Sequence, residues 1–172
     1  MEKLVLIDGH SILNRAFYGV PNLTNSEGLH TNAVYGFLNI LFKVLDEEKA
    51  DYLAVAFDLK APTFRHKMFD AYKGTIKPMP EELHEQVPLM KEVLTAMGVP
   101  ILTKEGYEAD DILGTIAKRE QKDGYEVTIL SGDRDLLQLS DTHIRICLPK
   151  TSRGTTEVHN YYPEDVIREY QV

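Results

Sequence analysis

Three short apolar runs in this chain each lead into an aspartate. Residues 3–7 (KLVLI) are followed at once by Asp8, residues 52–57 (YLAVAF) by Asp58, and residues 127–130 (VTIL) by Asp133 after Ser131 and Gly132. Two acidic groups accompany them: Glu108, Asp110 and Asp111 within GYEADD, and Asp135 beside Asp133 within GDRD. If these seven carboxylates share one crevice they cannot all stay ionised unaided, because a pair about 4 Å apart repels by roughly 4 kcal/mol at an effective dielectric of 20. Protons or cations must neutralise them. An all-oxygen donor set without His or Cys selects Mg²⁺ or Mn²⁺ over zinc. Two such ions roughly 4 Å apart can activate a water and stabilise the leaving oxygen in phosphodiester hydrolysis.

A lone Asp after a strand is more often a helix cap or turn residue than a ligand, and paired acids at a helix start complement its dipole. Recurrence is what favours the ligand reading. The same topological place on three runs carries an acid, and the carboxyl ends of strands line the ligand crevice of open α/β sheets. Glu108 and Asp111, three residues apart, can share one helical face.

The elements that must position these groups alternate along the chain. Strand-like runs fall at 3–7, 52–57, 99–102 and 127–130, with 144–148 (IRICL) as the last. Helical spacing covers 31–47, 81–97 (ended by Gly98) and 109–122 (ended by Gly124). The Asp133 group is expected to open another helix, and Pro163, Glu164 and Asp165 begin one more, with Pro at N1 and acids in the first turn. This order predicts an α/β fold, a mostly parallel central sheet with helices on both faces and right-handed crossovers. Residues 60–80, with Pro62, Gly74, Pro78 and Pro80, are the least regular and long enough for a functional loop or arch.

At 172 residues, 43% hydrophobic and 27% charged, the chain matches one globular domain. Its apolar runs are far shorter than the roughly 18 residues of a membrane span, and its N-terminus lacks a signal-peptide core. A single cysteine, Cys147, in an apolar run, reads as a core residue; together these features predict a reducing, cytoplasmic setting. The net charge of −8 argues against phosphate binding until seven acids are set aside as metal ligands, when the remainder nearly balances the 19 basic residues. Lys60, Arg65, Lys67, Lys73 and Lys77 face a single Asp70 in one segment, a basic patch or a merely solvated face. No GxxxxGK[ST] supports a P-loop, Asp8 lacks a second acid two residues on, and a phospho-accepting domain needs far fewer acids.

Four segments, LIDGHSILNRAFYG, AFDLKAPTFRHKMFDAYKGTIKPMPEEL, GYEADDILGTIA and LSGDRDLLQL, resemble the 5′-nuclease domains of bacterial DNA polymerase I, in the flap endonuclease family with its PIN-like fold. The resemblance runs in order along nearly the whole chain. It implies a two-metal 5′-3′ exonuclease or 5′-flap endonuclease acting on DNA 5′ ends and RNA primers, with Asp8, Asp58, Glu108, Asp110, Asp111, Asp133 and Asp135 as the metal-site acids. It implies Arg15 beside the scissile phosphate, Tyr72 stacking on a base from the arch, and Lys73 stabilising charge on the reacting phosphate. Arg65 and Lys77 are weaker matches for backbone phosphate contacts. Ile76 stands where the family usually has Arg, removing one cation from the arch that Lys77 replaces only in part.

The family continues past Val172 into further second-metal aspartates and a helix-three-turn-helix motif that grips duplex DNA. Residues 1–172 are therefore expected to be an incomplete PIN-like nuclease domain and a monomer, with a weakened second ion and a polymerase possible beyond it. The alternatives are a non-catalytic metal- and DNA-binding module and a PIN-type ribonuclease.

Overall fold

The computed structural model describes residues 1–58, 79–152 and 155–170. In chain order the elements are β1 (Lys3–Asp8), α1 (Gly9–Gly19), α2 (Asn32–Glu48), β2 (Tyr52–Ala56), α3 (Glu81–His84), α4 (Gln86–Ala96), β3 (Ile101–Leu102), α5 (Ala109–Lys122), β4 (Glu126–Leu130), a 3-10 helix (Arg134–Leu139), β5 (Ile144–Ser152), β6 (Thr155–Tyr161) and α6 (Pro163–Tyr170). The six strands form one sheet in the order β3-β2-β1-β4-β5-β6. All neighbours run parallel except β5 and β6.

Alternate residues of the central strands face opposite ways, and each face is covered. Val5, Ile7, Val55 and Phe57 pack with Ile12 and Leu13 of α1, Phe37 and Leu41 of α2, and Met90 and Leu94 of α4. Leu6, Ala54, Ala56 and Ile129 pack on the other side with Leu113 and Ala117 of α5 and Leu136 and Leu137 of the 3-10 helix. The mostly parallel sheet sandwiched by helices is the PIN-like arrangement expected from the sequence.

A buried amide locks α1, α2 and α4 together. The α2 N-cap, Thr31, makes no side-chain cap bond. Instead Gln86, fully buried, accepts from Ala33 N–H at 2.8 Å and Val34 N–H at 3.2 Å, supplying partners for helix-end donors. Its own amide donates to Asn32 Oδ1 and Glu82 O, and Asn32 in turn donates to Phe17 O and Val20 O at the end of α1.

Four details differ from expectation. The helix over 81–97 is two helices meeting at Glu85, because Pro88 has no N–H for the carbonyl four residues back and fits only in a first turn. The strand at 99–102 pairs over Ile101–Leu102 only. The helix after Asp133 is 3-10. Finally, 144–148 is not the last strand: β5 runs to Ser152 and pairs antiparallel with β6. The sequence TTEVHNY lacks the apolar signal of its neighbours because an edge strand need not be buried on both faces. The expected arch falls largely on residues 59–78, outside the described residues. Among the described residues no helix is long and apolar enough to cross a membrane.

Candidate metal centre

Parallel pairing in register brings three acid-bearing strand ends to one edge of the sheet. Asp8 pairs with Ala56, two residues before Asp58, and Ile7 pairs with Leu130, three residues before Asp133. Each acid is also a cap. Asp8 begins α1 and its Oδ1 accepts from Ser11 N–H at 3.4 Å. Asp133 begins the 3-10 helix and accepts from Asp135 N–H at 2.9 Å. Asp58 caps across space: its Oδ1 accepts from Ala109 N–H, at the start of α5, at 2.6 Å. The cap and ligand readings thus describe the same side chains, since a carboxylate bonded through one lone pair keeps others for an ion.

The α5 end holds the second acidic group. Carboxylate oxygens of Glu108, Asp110 and Asp111 lie within 4.8 Å of one another, Glu108 buried and the other two half-buried. Glu108 N–H donates to Asp111 Oδ2 at 3.1 Å and Asp111 N–H to Asp110 Oδ1 at 2.9 Å. Through the Asp58–Ala109 bond this group adjoins Asp58, whose charge in turn repels that of Asp8. Asp135 sits exposed on the first turn of the 3-10 helix.

The Asp8 carboxyl is pushed up to about 6. Burial is the main cause, with Asp58 and Asp133 adding repulsion, and the bonds from Ser131 and Ser11 holding the value down. A buried carboxylate crowded by two others is the electrostatic deficit that a divalent cation fills. The described donors are carboxylate oxygens, as Mg²⁺, Mn²⁺ or Ca²⁺ require, and the residues present fit such an ion.

Three site residues went unread in the sequence. His10 Nδ1 accepts from Asp58 N–H at 3.2 Å and lies 3.7 Å from Asp58 Oδ2, which puts the proton of the neutral ring on Nε2. Ser131 donates to Asp8 Oδ2 at 3.0 Å, and Ser11 accepts from Gly132 N–H at 2.7 Å. Their sequence signals are nearness to Asp8 and Asp133 and a place in two of the four segments that carry the family resemblance. Beside the acids, Arg15, Asn14, Tyr18, Ser11 and Asp133 line an open cleft of about 720 Å³. Arg15 Nη2 reaches Gly132 O at 3.4 Å, and among the described residues its buried Nε has no hydrogen-bond partner. Cys147 is buried in the core, donates to Asn160 Oδ1, and has its thiol pushed up by burial, as a core residue should. Arg65, Tyr72, Lys73, Ile76 and Lys77 lie outside the described residues.

An open α/β sheet with a carboxylate cluster across its strand ends defines a class of metal-dependent phosphate-ester enzymes. The chain belongs to the family of the 5′-3′ exonuclease, N-terminal resolvase-like domain, whose family model matches residues 3–171. It is 48% identical to DNA polymerase I of Bacillus caldotenax over 98% of this chain and 19% of that protein, and 48% identical to DNA polymerase I of Bacillus subtilis with the same coverage. The chain thus spans about a fifth of the length of these curated relatives. Among solved structures it is similar to a T5 5′-exonuclease with zinc ions bound, with a TM-score of 0.73 at 23% identity, covering 99% of this chain and 62% of that one. A T5 flap endonuclease in a complex with DNA and metal ions gives a TM-score of 0.71 at 20% identity, covering 99% and 61%.

Proposed function

We propose that this chain is a 5′-nuclease domain that hydrolyses phosphodiester bonds of 5′-flapped or 5′-ended DNA, and of primer RNA, with two Mg²⁺ or Mn²⁺ ions. The observation that carries the proposal is the sheet edge that gathers Asp8, Asp58 and Asp133 from the ends of three parallel strands, with Asp58 bonded to the start of α5 beside the Glu108–Asp110–Asp111 group. When bound, the ions supply water activation and neutralise charge on the reacting phosphate. The chain's own groups do the rest. Asp8, Asp58, Glu108, Asp110, Asp111, Asp133 and Asp135 hold the cations, with one oxygen of Asp58 already committed to α5.

Arg15 stands beside Asp133 with a buried Nε that has no partner among the described residues, and it is assigned to the phosphate beside the cleaved bond. Lys73 is assigned to charge stabilisation at the reacting phosphate, Tyr72 to stacking on a base, and Arg65 and Lys77 to the nucleic-acid backbone; these four rest on the family resemblance. Residues 1–172 carry the catalytic part of a PIN-like nuclease domain, working in the cytoplasm where replication and repair DNA lies.

The test is cleavage of a labelled 5′-flap duplex in Mg²⁺, with a flapped RNA alongside. Cleavage abolished by chelation and by Asp133→Ala is expected. Turnover that survives either treatment would remove the metal site from the reaction, and preference for RNA without a 5′ end would favour a ribonuclease.

A further inference from the structure

The segment carrying Asp133 is held from α1 as well as from its own strand. Ser131 is fully buried; its hydroxyl donates to Asp8 Oδ2 at 3.0 Å and accepts from Asp133 N–H at 3.0 Å. Ser11 accepts from Gly132 N–H at 2.7 Å, and its Oγ lies 3.3 Å from that of Ser131. One turn along α1, Arg15 Nη2 donates to Gly132 O at 3.4 Å. A Cβ on Gly132 would stand 2.9 Å from Arg15 Nε and 3.0 Å from Ser11 Oγ, so the segment lies against this helix face at contact distance.

Each serine has one proton to place. The carboxylate is the stronger acceptor, so the Ser131 proton goes to Asp8 and the Ser11 proton to Ser131 Oγ. Backbone N–H groups of Gly132 and Asp133 donate to Ser11 Oγ and Ser131 Oγ, respectively. The result is a directed chain from α1 through Ser131 to Asp8, tied at two points to the backbone leading into Asp133.

Sheet pairing fixes the backbone of Asp8, but its other carboxylate bond, from Ser11 N–H, is long at 3.4 Å, and repulsion from Asp58 and Asp133 would turn the carboxylate away. We infer that Ser131, backed by Ser11, is a positioning residue that sets the orientation of Asp8 and its spacing from Asp133 for a divalent cation. The inference rests on the metal reading above and extends it to two hydroxyls that act through Asp8. Hydrogen bonds to ligand carboxylates orient them and tune affinity in this way.

Calorimetric Mn²⁺ titration of the whole chain tests it, with thermal unfolding followed in parallel for Ser131→Ala, Ser131→Thr and Ser11→Ala. Ser131→Ala should weaken Mn²⁺ binding about 10-fold or more, and Ser131→Thr, which keeps the hydroxyl, should recover most of that loss. At saturating Mn²⁺, flap cleavage by Ser131→Ala should fall in kcat with KM for DNA little changed. A folded Ser131→Ala that binds Mn²⁺ like the parent overturns the inference, as does equal loss in the Ala and Thr variants with equal drops in melting temperature. If Ser131→Ala does not fold, the half-buried Ser11→Ala decides by the same readings. Should Asp8→Ala leave Mn²⁺ affinity unchanged, it is the metal reading that falls, and the positioning role falls with it.

Discussion

Asp58 Oδ1 stands 2.6 Å from the backbone nitrogen of Ala109, so the acid at the end of β2 closes the first turn of a helix that begins 51 residues later. One side chain thus joins two of the three acidic groups and also satisfies a helix-end donor.

That double duty separates two substitutions. Asp58→Ala should lower stability by about 1 kcal/mol, the usual cost of a lost cap, and abolish flap cleavage. Asp58→Asn keeps the carbonyl acceptor, so it should hold most of the stability while losing metal-dependent cleavage by at least about 100-fold. Thermal unfolding and a flap assay on both proteins check this. Equal stability of the two variants would deny the cap.

Asp8 makes the metal-free protein sensitive to pH. Its folded-state value, about 6, lies above the ordinary 3.8, so the folded chain binds the extra proton between these values. The Asp8 contribution is therefore fully present below about pH 4 and is lost as pH rises through about 6, by roughly 3 kcal/mol at about 1.4 kcal/mol per unit. In chelator at pH 8, Asp8→Asn should be more stable than the parent by about 1–3 kcal/mol, and the gap should close toward pH 4. Added Mn²⁺ should reverse the order by stabilising only the parent. Denaturant unfolding at several pH values reads this, and parallel pH profiles would contradict it.

Gln86 carries the end of α2. Gln86→Leu keeps the bulk but leaves Ala33 and Val34 N–H groups and the Asn32 carbonyl buried without their partner, at about 1–3 kcal/mol per orphaned group. A fall in melting temperature of several degrees or more is expected, and an unchanged transition would mean that these donors find other acceptors.

Gly9 lies between Asp8 and His10, and a Cβ there would stand 2.6 Å from the ring of fully buried Phe57, the residue before Asp58. Gly9→Ala must push that ring, so a loss of about 1–3 kcal/mol is expected from overpacking. Mn²⁺ affinity should fall as well, because the displaced ring carries Asp58 with it. The double variant Gly9→Ala, Phe57→Leu should recover part of both. Failure of the smaller side chain to recover either would place the strain elsewhere.

The apolar runs, their periods and the acids at their ends were enough to read an α/β sheet with Asp8, Asp58 and Asp133 at its strand ends, because burial on both faces and helix capping leave local signatures. Cys147 was legible for the same reason. Other features depended on what meets what. Polar β6 is defined by its partner and not by its own residues. The helix break at Glu85 follows from where Pro88 falls within a turn. Ser11, Ser131 and His10 became part of the site only when parallel pairing set β2 and β4 on either side of β1, since Ser131 meets Asp8 across 123 residues. Sequence alone placed Asp8, Asp58 and Asp133 after the strands that the sheet sets side by side. Tertiary structure decided how they are held there, because a hydrogen bond between residues far apart in the chain leaves no trace in the spacing of either.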